Sequence, residues 1–432
     1  MLNLMPEAAH APQKIAIIGG GISGLGAAYG LADADKVTVF EAEHRLGGHA
    51  RTVMAGRNGD VPVDTGFIVF NRPNYPELTR LFDALNVPIK SSDMSFAASI
   101  DNGRIEYGLR PGALLAQRRN AFRPGFLRML NDILKFNKQA VRAAADPDLT
   151  LRALMDELRL GEWFRRYYLL PLAGAIWSTA PERILDFPAR SLTQFFDNHA
   201  LLSARHQHQW MTVDGGSREY VNRLTAHLRK RQVDLRVNAP VQQVVRDAAG
   251  VMITPLGGVA ERFDQVIFAC HSDQALAMMA APSADERRIL GAMRYQKNSA
   301  ILHADVAQMP KRQGCWSSWN YRARMDGDEG RAIGVTYWMN RLQGIDAAEP
   351  LFVTLNTDVP VNEALIYDQA EFMHPVFDAA AIAAQAEMPK LQGANHSYFA
   401  GAYMKHGFHE DGLASGLAAA AALRAGALAW AA

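Results

Sequence analysis

The sequence predicts an α/β fold in which one nucleotide-binding domain is assembled from separated segments and a second, α+β domain is inserted between them. Three features predict it. "KIAIIGG" (14–20), a short β-rich run ending in glycines, is followed by helix formers in "SGLGAAYGLA" (23–32) and by a second strand, "KVTVFEA" (36–42). That is a β-α-β unit of the usual length, about 30 residues. Short strands return at 233–267 and again at 298–357, after a long stretch of mostly helical period between Phe67 and Met211. An alanine-rich helix, "GLASGLAAAAALRAGALAWAA", closes the chain.

With 432 residues, 49% of them hydrophobic, the chain can bury two sizeable cores. Residues 1–13 have no basic segment leading into an apolar run, so they read as a disordered tail rather than a secretory signal. Segments 14–66, 212–297 and 390–432 are assigned to the nucleotide domain, and 67–211 and 298–389 to the substrate domain. One hairpin is expected inside the latter, at "FAASIDNGRIEYG". Lys plus Arg is 45 and Asp plus Glu 44, a net charge of +1 that gives no reason to expect nucleic acid. The two cysteines, Cys270 and Cys315, fit a reducing cytoplasm and no disulfide framework. No apolar run is long enough to span a bilayer.

The first glycine loop sets the chemistry. Gly19, Gly21 and Gly24 form G-x-G-x-x-G, with Ile22 and Ser23 inside it. The first glycine permits the tight turn and the second lets backbone approach a pyrophosphate. The helix start supplies N–H groups and partial positive charge. Glu41 closes the second strand, followed by Ala42, and can take a ribose 2′-OH. A 2′-phosphate there would be repelled, which disfavours NADP. Near the other end, "YMKHGFHEDGLASG" carries His406 and His409. A metal site is a poor reading, because Gly407 separates them and no further His or Cys ligand lies close in sequence.

The motifs that follow the loop resemble those of the flavin amine oxidase and desaturase superfamily. "EAEHRLGGHART" resembles its second glycine signature, in which Gly47 and Gly48 approach the pyrophosphate and Arg45 offers a cation; His49 stands where the family usually has arginine. "VPVDTGFIVF", with Asp64, Thr65, Gly66, Phe67 and Ile68, resembles the strand and turn that line the flavin ring. "PVQQVV", around Val241, resembles the strand that meets the adenine. "YFAGAYMKHGFHEDGLASG" resembles the C-terminal FAD signature, with Gly401, Asp411, Gly412 and Leu413; Gly412 and Leu413 would offer amides to the flavin pyrimidine edge. The resemblance implies a Rossmann-like FAD-binding domain with an inserted α+β substrate-binding domain, the amine oxidase or GR2-type fold. It implies FAD as cofactor and an oxidoreductase.

Within the superfamily, "LLPLAGAIWS", "LDFPARSL", "WMTVDGGSREYV", "ACHSDQAL" and "GFHEDGL" resemble a bacterial branch that includes fatty-acyl desaturases of furan fatty acid synthesis. That branch implies hydride transfer from an allylic carbon of a methyl-branched acyl chain to flavin N5. Proton loss then gives a diene, and O2 is the oxidant. His409 is the candidate proton acceptor, standing where amine oxidases carry an aromatic cage residue. Trp177, Trp319, Tyr321 and Tyr337 are candidates for an apolar substrate tunnel, with Trp319 and Tyr321 on one strand face and Tyr337 and Met339 on another. Amine oxidation, oxidation of a carotenoid or porphyrinogen, and a non-catalytic lipid-binding flavoprotein are the alternatives. Finally, 110–142 carries eight basic residues and one acid, Asp132, among leucines and phenylalanines. It reads as contact with an anionic membrane surface, which would make the protein peripheral on the inner face of the membrane. A solvated helix face or a protein contact is the alternative.

Overall fold

The structure, a computed structural model, describes residues 12–426 apart from 111, 147–148, 178–184, 187, 199–201, 203–207, 325–330 and 358. Most of the expected tail therefore lies outside the described residues.

The centre is a five-stranded parallel sheet in the order Asp234–Arg236, Lys36–Phe40, Lys14–Ile18, Gln265–Phe268, Ser397–Phe399. Strands buried on both faces need consecutive apolar residues, and "KIAII" and "QVIF" supply them after their first, polar residue. Alternate residues serve opposite faces. Ile15 and Ile17 pack under the helices Ile22–Leu31, Arg218–Lys230 and His409–Ala425. Ala16 and Ile18 pack against an antiparallel sheet, Val241–Asp247, Gly250–Pro255 and Glu261–Phe263, and the helices Ala284–Gly291 and Ala379–Glu387.

A third core belongs to a seven-stranded sheet in the order Ile366–Val376, Arg294–His303, Phe352–Leu355, Arg331–Trp338, Trp319–Arg324, Phe96–Ile100, Ile105–Gly108. Its last two strands are the expected hairpin. The helices Pro124–Ala143, Leu151–Glu157 and Ala189–Asn198 cover it. Strand Ile366–Val376 lacked a clear sequence signal, since polar and apolar residues mix on both of its faces.

Packing divides the chain at points other than 66/67 and 389/390. Phe70, Leu78, Leu81 and Phe82 join the core of the parallel sheet. Ala381, Ala384 and Met388 join the core on its other face. The reason at the first boundary is a cap: the Glu410 carboxylate accepts from the amides of Glu77 (2.8 Å) and Leu78 (2.9 Å), binding the start of helix Pro76–Ala84 to the C-terminal helix.

Candidate active site

The carboxyl ends of the parallel strands open into a cavity of about 820 Å³. Such ends are where open α/β sheets hold nucleotides. Gly19 follows the first strand, Glu41 the second and Ala269 the strand Gln265–Phe268; all three line the cavity. Two glycine loops meet there. The Gly47 amide donates to the Gly20 carbonyl at 2.8 Å, and a Cβ on Gly48 would lie 3.1 Å from the Gly21 Cα. At Gly19 the backbone is left-handed, φ +111°, and a Cβ would lie 2.5 Å from the Ala269 carbonyl oxygen. Gly21 caps helix Ile22–Leu31 without a side-chain acceptor. The amides of the first turn therefore remain for a ligand, and Gly21, Ile22 and Ser23 line the cavity. Two bare glycine backbones and an uncapped helix start fit the pyrophosphate of FAD. Glu41 lines the same end, its Oε2 accepting from the Gly20 amide (2.7 Å) and its Oε1 from the Glu43 amide (2.8 Å).

Most of the sequence-predicted residues come together. Ala42, Gly48, His49, Thr65, Gly66, Phe67, Ile68, Val241, Gly401, His409, Trp319 and Tyr337 also line the cavity. Eight others do not. Gly24 serves the tight turn, where a Cβ would meet the Gly19 carbonyl oxygen at 1.9 Å. Gly47 makes the loop-to-loop bond. Arg45, expected as a phosphate cation, donates to the carbonyls of Gly48 (2.8 Å) and Ala50 (3.1 Å) and braces the loop. Arg51 is spent on Asp368, at 2.6 and 3.0 Å. No Lys or Arg lines the cavity among the described residues, so backbone amides and the helix dipole are what the site offers a pyrophosphate. Asp64 is buried behind the loop and accepts from Thr52, Ser217 and Gln343. Burial raises its carboxyl to about 6, against those hydrogen bonds.

The C-terminal signature also works differently from its expected role. Asp411 clamps the preceding turn, accepting from the amides of His406 (3.1 Å) and Phe408 (3.0 Å). The Gly412 amide donates to the Phe408 carbonyl, so the free first-turn amides are those of His409, Glu410 and Asp411. Gly412 and Leu413 instead pack on the first helix: a Cβ on Gly412 would touch Ile22 and Ser23, and one on Gly26 would touch Leu413. Tyr321 is buried in the inserted core, two residues beyond Trp319 on the same strand face. Met339 does not share a face with Tyr337, because it opens a helical turn, Met339–Leu342. The side chain of Trp177 lies outside the described residues.

His409 lines the cavity and stacks on Phe67, centroids 4.0 Å apart and planes 11° apart. Its Nε2 lies 2.6 Å from the hydroxyl of Tyr220. Burial pushes that hydroxyl well above its ordinary pKa, so it keeps its proton. Burial also holds the imidazole down at about 3. A ring whose Nε2 is engaged with Tyr220, and whose cation is disfavoured by burial, serves as a neutral wall. Burial thus weighs against the expected role of proton acceptor.

Sequence reasoning missed a second histidine group. His49 lies 5.6 Å from His374 and 6.4 Å from His271, ring to ring, with Phe372 at 5.1 Å; all four line the cavity. Burial and the neighbouring imidazoles lower His49 to about 3, and burial lowers His374 to about 4. His271 stands three residues past strand Gln265–Phe268, a position that could have marked it; nothing local marks His374. Cys270 also lines the cavity, its thiol pushed up to about 12 by burial, so it is protonated and not a nucleophile.

Solved structures share this architecture. A fatty acid isomerase from P. acnes that produces CLA superposes with TM-score 0.67 at 14% identity, over 94% of this chain and 98% of that one. A protein from Exiguobacterium sp. 255-15 described as a protoporphyrinogen oxidase gives 0.71 at 15%, over 96% and 99%. Cyclohexylamine oxidase from Brevibacterium oxydans gives 0.68 at 16%, over 96% and 99%. No curated protein sequence matches significantly. Residues 22–304 match the family model described as flavin containing amine oxidoreductase. With the two glycine loops, Glu41 and the cavity at the strand ends, that match identifies an FAD-dependent oxidoreductase, and the chain belongs to the flavin containing amine oxidoreductase family.

Proposed function

We propose that this oxidoreductase desaturates an apolar acyl chain, with a methyl-branched unsaturated chain as substrate and O2 as final oxidant. The observation that carries the reading is the lining of the cavity away from the nucleotide loops. Phe67, Phe96, Leu172, Phe195, Trp319, Tyr337 and Phe372 form it. Among the described lining residues the only carboxylates are Glu41 and Glu43, beside the second strand, and there is no lysine. The fold alone is common to a fatty acid isomerase and to amine oxidases, so the lining has to discriminate.

Bound FAD supplies the two-electron oxidation, which no side chain here can perform. The protein's part is to position the chain and keep water out. Trp319 and Tyr337 meet edge to face at 5.0 Å across neighbouring strands, and Phe67 stacks on His409; both pairs are rigid, flat walls. An existing alkene beside the reacting C–H lowers the barrier by delocalising the charge that develops. Lys297, near the region where amine oxidases carry a lysine, pairs with Glu371 on the surface, so no lysine from there reaches the cavity.

The test is anaerobic mixing of the flavin-loaded protein with candidate substrates. Lipids with a methyl-branched monounsaturated chain should bleach the oxidised flavin band and yield a diene by mass spectrometry. Bleaching by putrescine or a monoamine alone would establish amine oxidation instead. A porphyrinogen and a carotenoid belong in the same panel, since their apolar surfaces suit the same lining.

A further inference from the structure

Helix Pro124–Ala143 buries Phe126, Met129, Phe136 and Ala140 against the inserted core. Its outer face is unusual for a water-facing helix. Leu127 is 50% exposed, Leu134 67% and Val141 43%, and Phe122, just before the helix, is 86% exposed. The three helical residues are seven apart, two turns each, so they form one row along the surface. Apolar residues scattered singly on a surface need no explanation; a row does.

The cations beside that row are equally distinctive. By helical spacing Arg128, Lys135, Lys138 and Arg142 flank it on one side, and Arg118 and Arg119 precede it. None of these six makes an ion pair among the described residues. Elsewhere the protein pairs its arginines: Arg231 with Asp33, Arg236 with Glu261, Arg262 with Asp247, Arg288 with Glu387. The only acid of the segment, Asp132, is turned inward and accepts from the Gly161 amide at 2.9 Å. Long aliphatic side chains in a row, with unneutralised cations alongside and no anion, have the composition of an interfacial helix. The apolar row enters the boundary between headgroups and acyl chains while the cations meet lipid phosphates. A protein interface would be depleted of lysine at such a centre. A nucleic-acid surface would not place Phe, Leu and Val in the line of contact.

We propose that Phe122 and the outer face of helix Pro124–Ala143 dock the protein on an anionic lipid bilayer. The face lies close to the cavity: on the helix's inner side Phe136 packs on Phe196, whose neighbour Phe195 lines the cavity. This docking does not depend on the oxidation proposed above.

The test is co-sedimentation of the full flavin-loaded chain with vesicles of phosphatidylcholine alone or mixed with phosphatidylglycerol. Binding should require phosphatidylglycerol and weaken as salt is raised. Each cation removed should weaken it by about fivefold, so Lys135→Glu/Lys138→Glu/Arg142→Glu should abolish it. Phe122→Asp/Leu134→Asp should do the same through the apolar row. All five positions are solvent-facing or nearly so, and flavin content with melting temperature serves as the fold control. Equal binding to both vesicle types, unchanged binding by the variants, retention on nucleic acid without vesicle binding, or a dimer in solution that Phe122→Asp dissolves would each overturn the proposal.

Discussion

At the scale of a single residue, His409 separates two kinds of chemistry. If it removed a proton from substrate, replacing it would cost about 10²–10⁴ in rate. As a neutral wall stacked on Phe67, it is replaceable by another flat ring. His409→Phe should therefore keep the flavin reduction rate within about tenfold, measured by anaerobic stopped flow with whichever substrate bleaches the flavin. A loss of a hundredfold or more, restored in neither Phe nor Tyr variants, would return the residue to a proton-transfer role. Legibility at this scale was uneven for a physical reason. The tasks of Gly19, Gly21 and Glu41 follow from one strand, one turn and one helix, all local in sequence. What Gly412, Leu413 and Arg45 do depends on which backbone lies opposite them, and no local pattern states that.

At the scale of elements, the crossing of helices Ile22–Leu31 and His409–Ala425 is made by small residues on both sides. A Cβ on Gly416 would lie 2.0 Å from the Ser23 carbonyl oxygen, and one on Gly30 would lie 2.9 Å from the Ala420 Cβ. Because Ser23 belongs to the glycine loop, this crossing sets where the loop's amides point. Gly416→Ala should lower stability by about 1–3 kcal/mol, the usual cost of overpacking. It should also reduce retained flavin, read as the ratio of flavin to protein absorbance after gel filtration. Gly407→Ala would be a poor control, since that glycine has φ +88° and faces Phe377. The strand-glycine-helix element was plain in the sequence because apolar run, glycines and helix formers coincide. Strand Ile366–Val376 was not: its exposure alternates along the strand, but Asp368 and His374 stand on the inward face and Tyr367 and Met373 on the outward one, so the apolar alternation that marks a half-buried strand is blurred in the sequence.

At the scale of the whole molecule, buried imidazoles tie stability to pH. His303 does not line the cavity and sits in the inserted sheet. The Asp305 amide donates to its Nδ1 at 3.0 Å, so its Nε2–H donates to Thr354 Oγ1 at 2.7 Å. Protonation would break the first bond, and burial lowers the group to about 4. The unfolded chain takes up this proton near pH 6.5 and the folded chain only near 4, so the unfolded state binds more protons between them. The stability is present above about pH 6.5 and is lost as pH falls toward 4, by up to about 1.4 kcal/mol per unit. His303→Gln should be less stable than the parent at pH 7.5, and the gap in melting temperature should narrow on acidification. Constant separation across that range would show that His303 charges freely in the fold. Asp64, raised to about 6, works in the opposite sense, which is why the comparison is made between variants.

The parallel sheet has a consequence for synthesis. Strand Lys14–Ile18 and its partner Gln265–Phe268 complete their sheet only with Ser397–Phe399, and the glycine loop is seated by a helix that begins at His409. Translation at about 5–20 residues per second leaves the first strand waiting some tens of seconds for its last neighbours. Flavin capture is thus the closing act of biogenesis, and nascent or C-terminally clipped chains present an apolar sheet edge to chaperones and proteases before they can hold any cofactor.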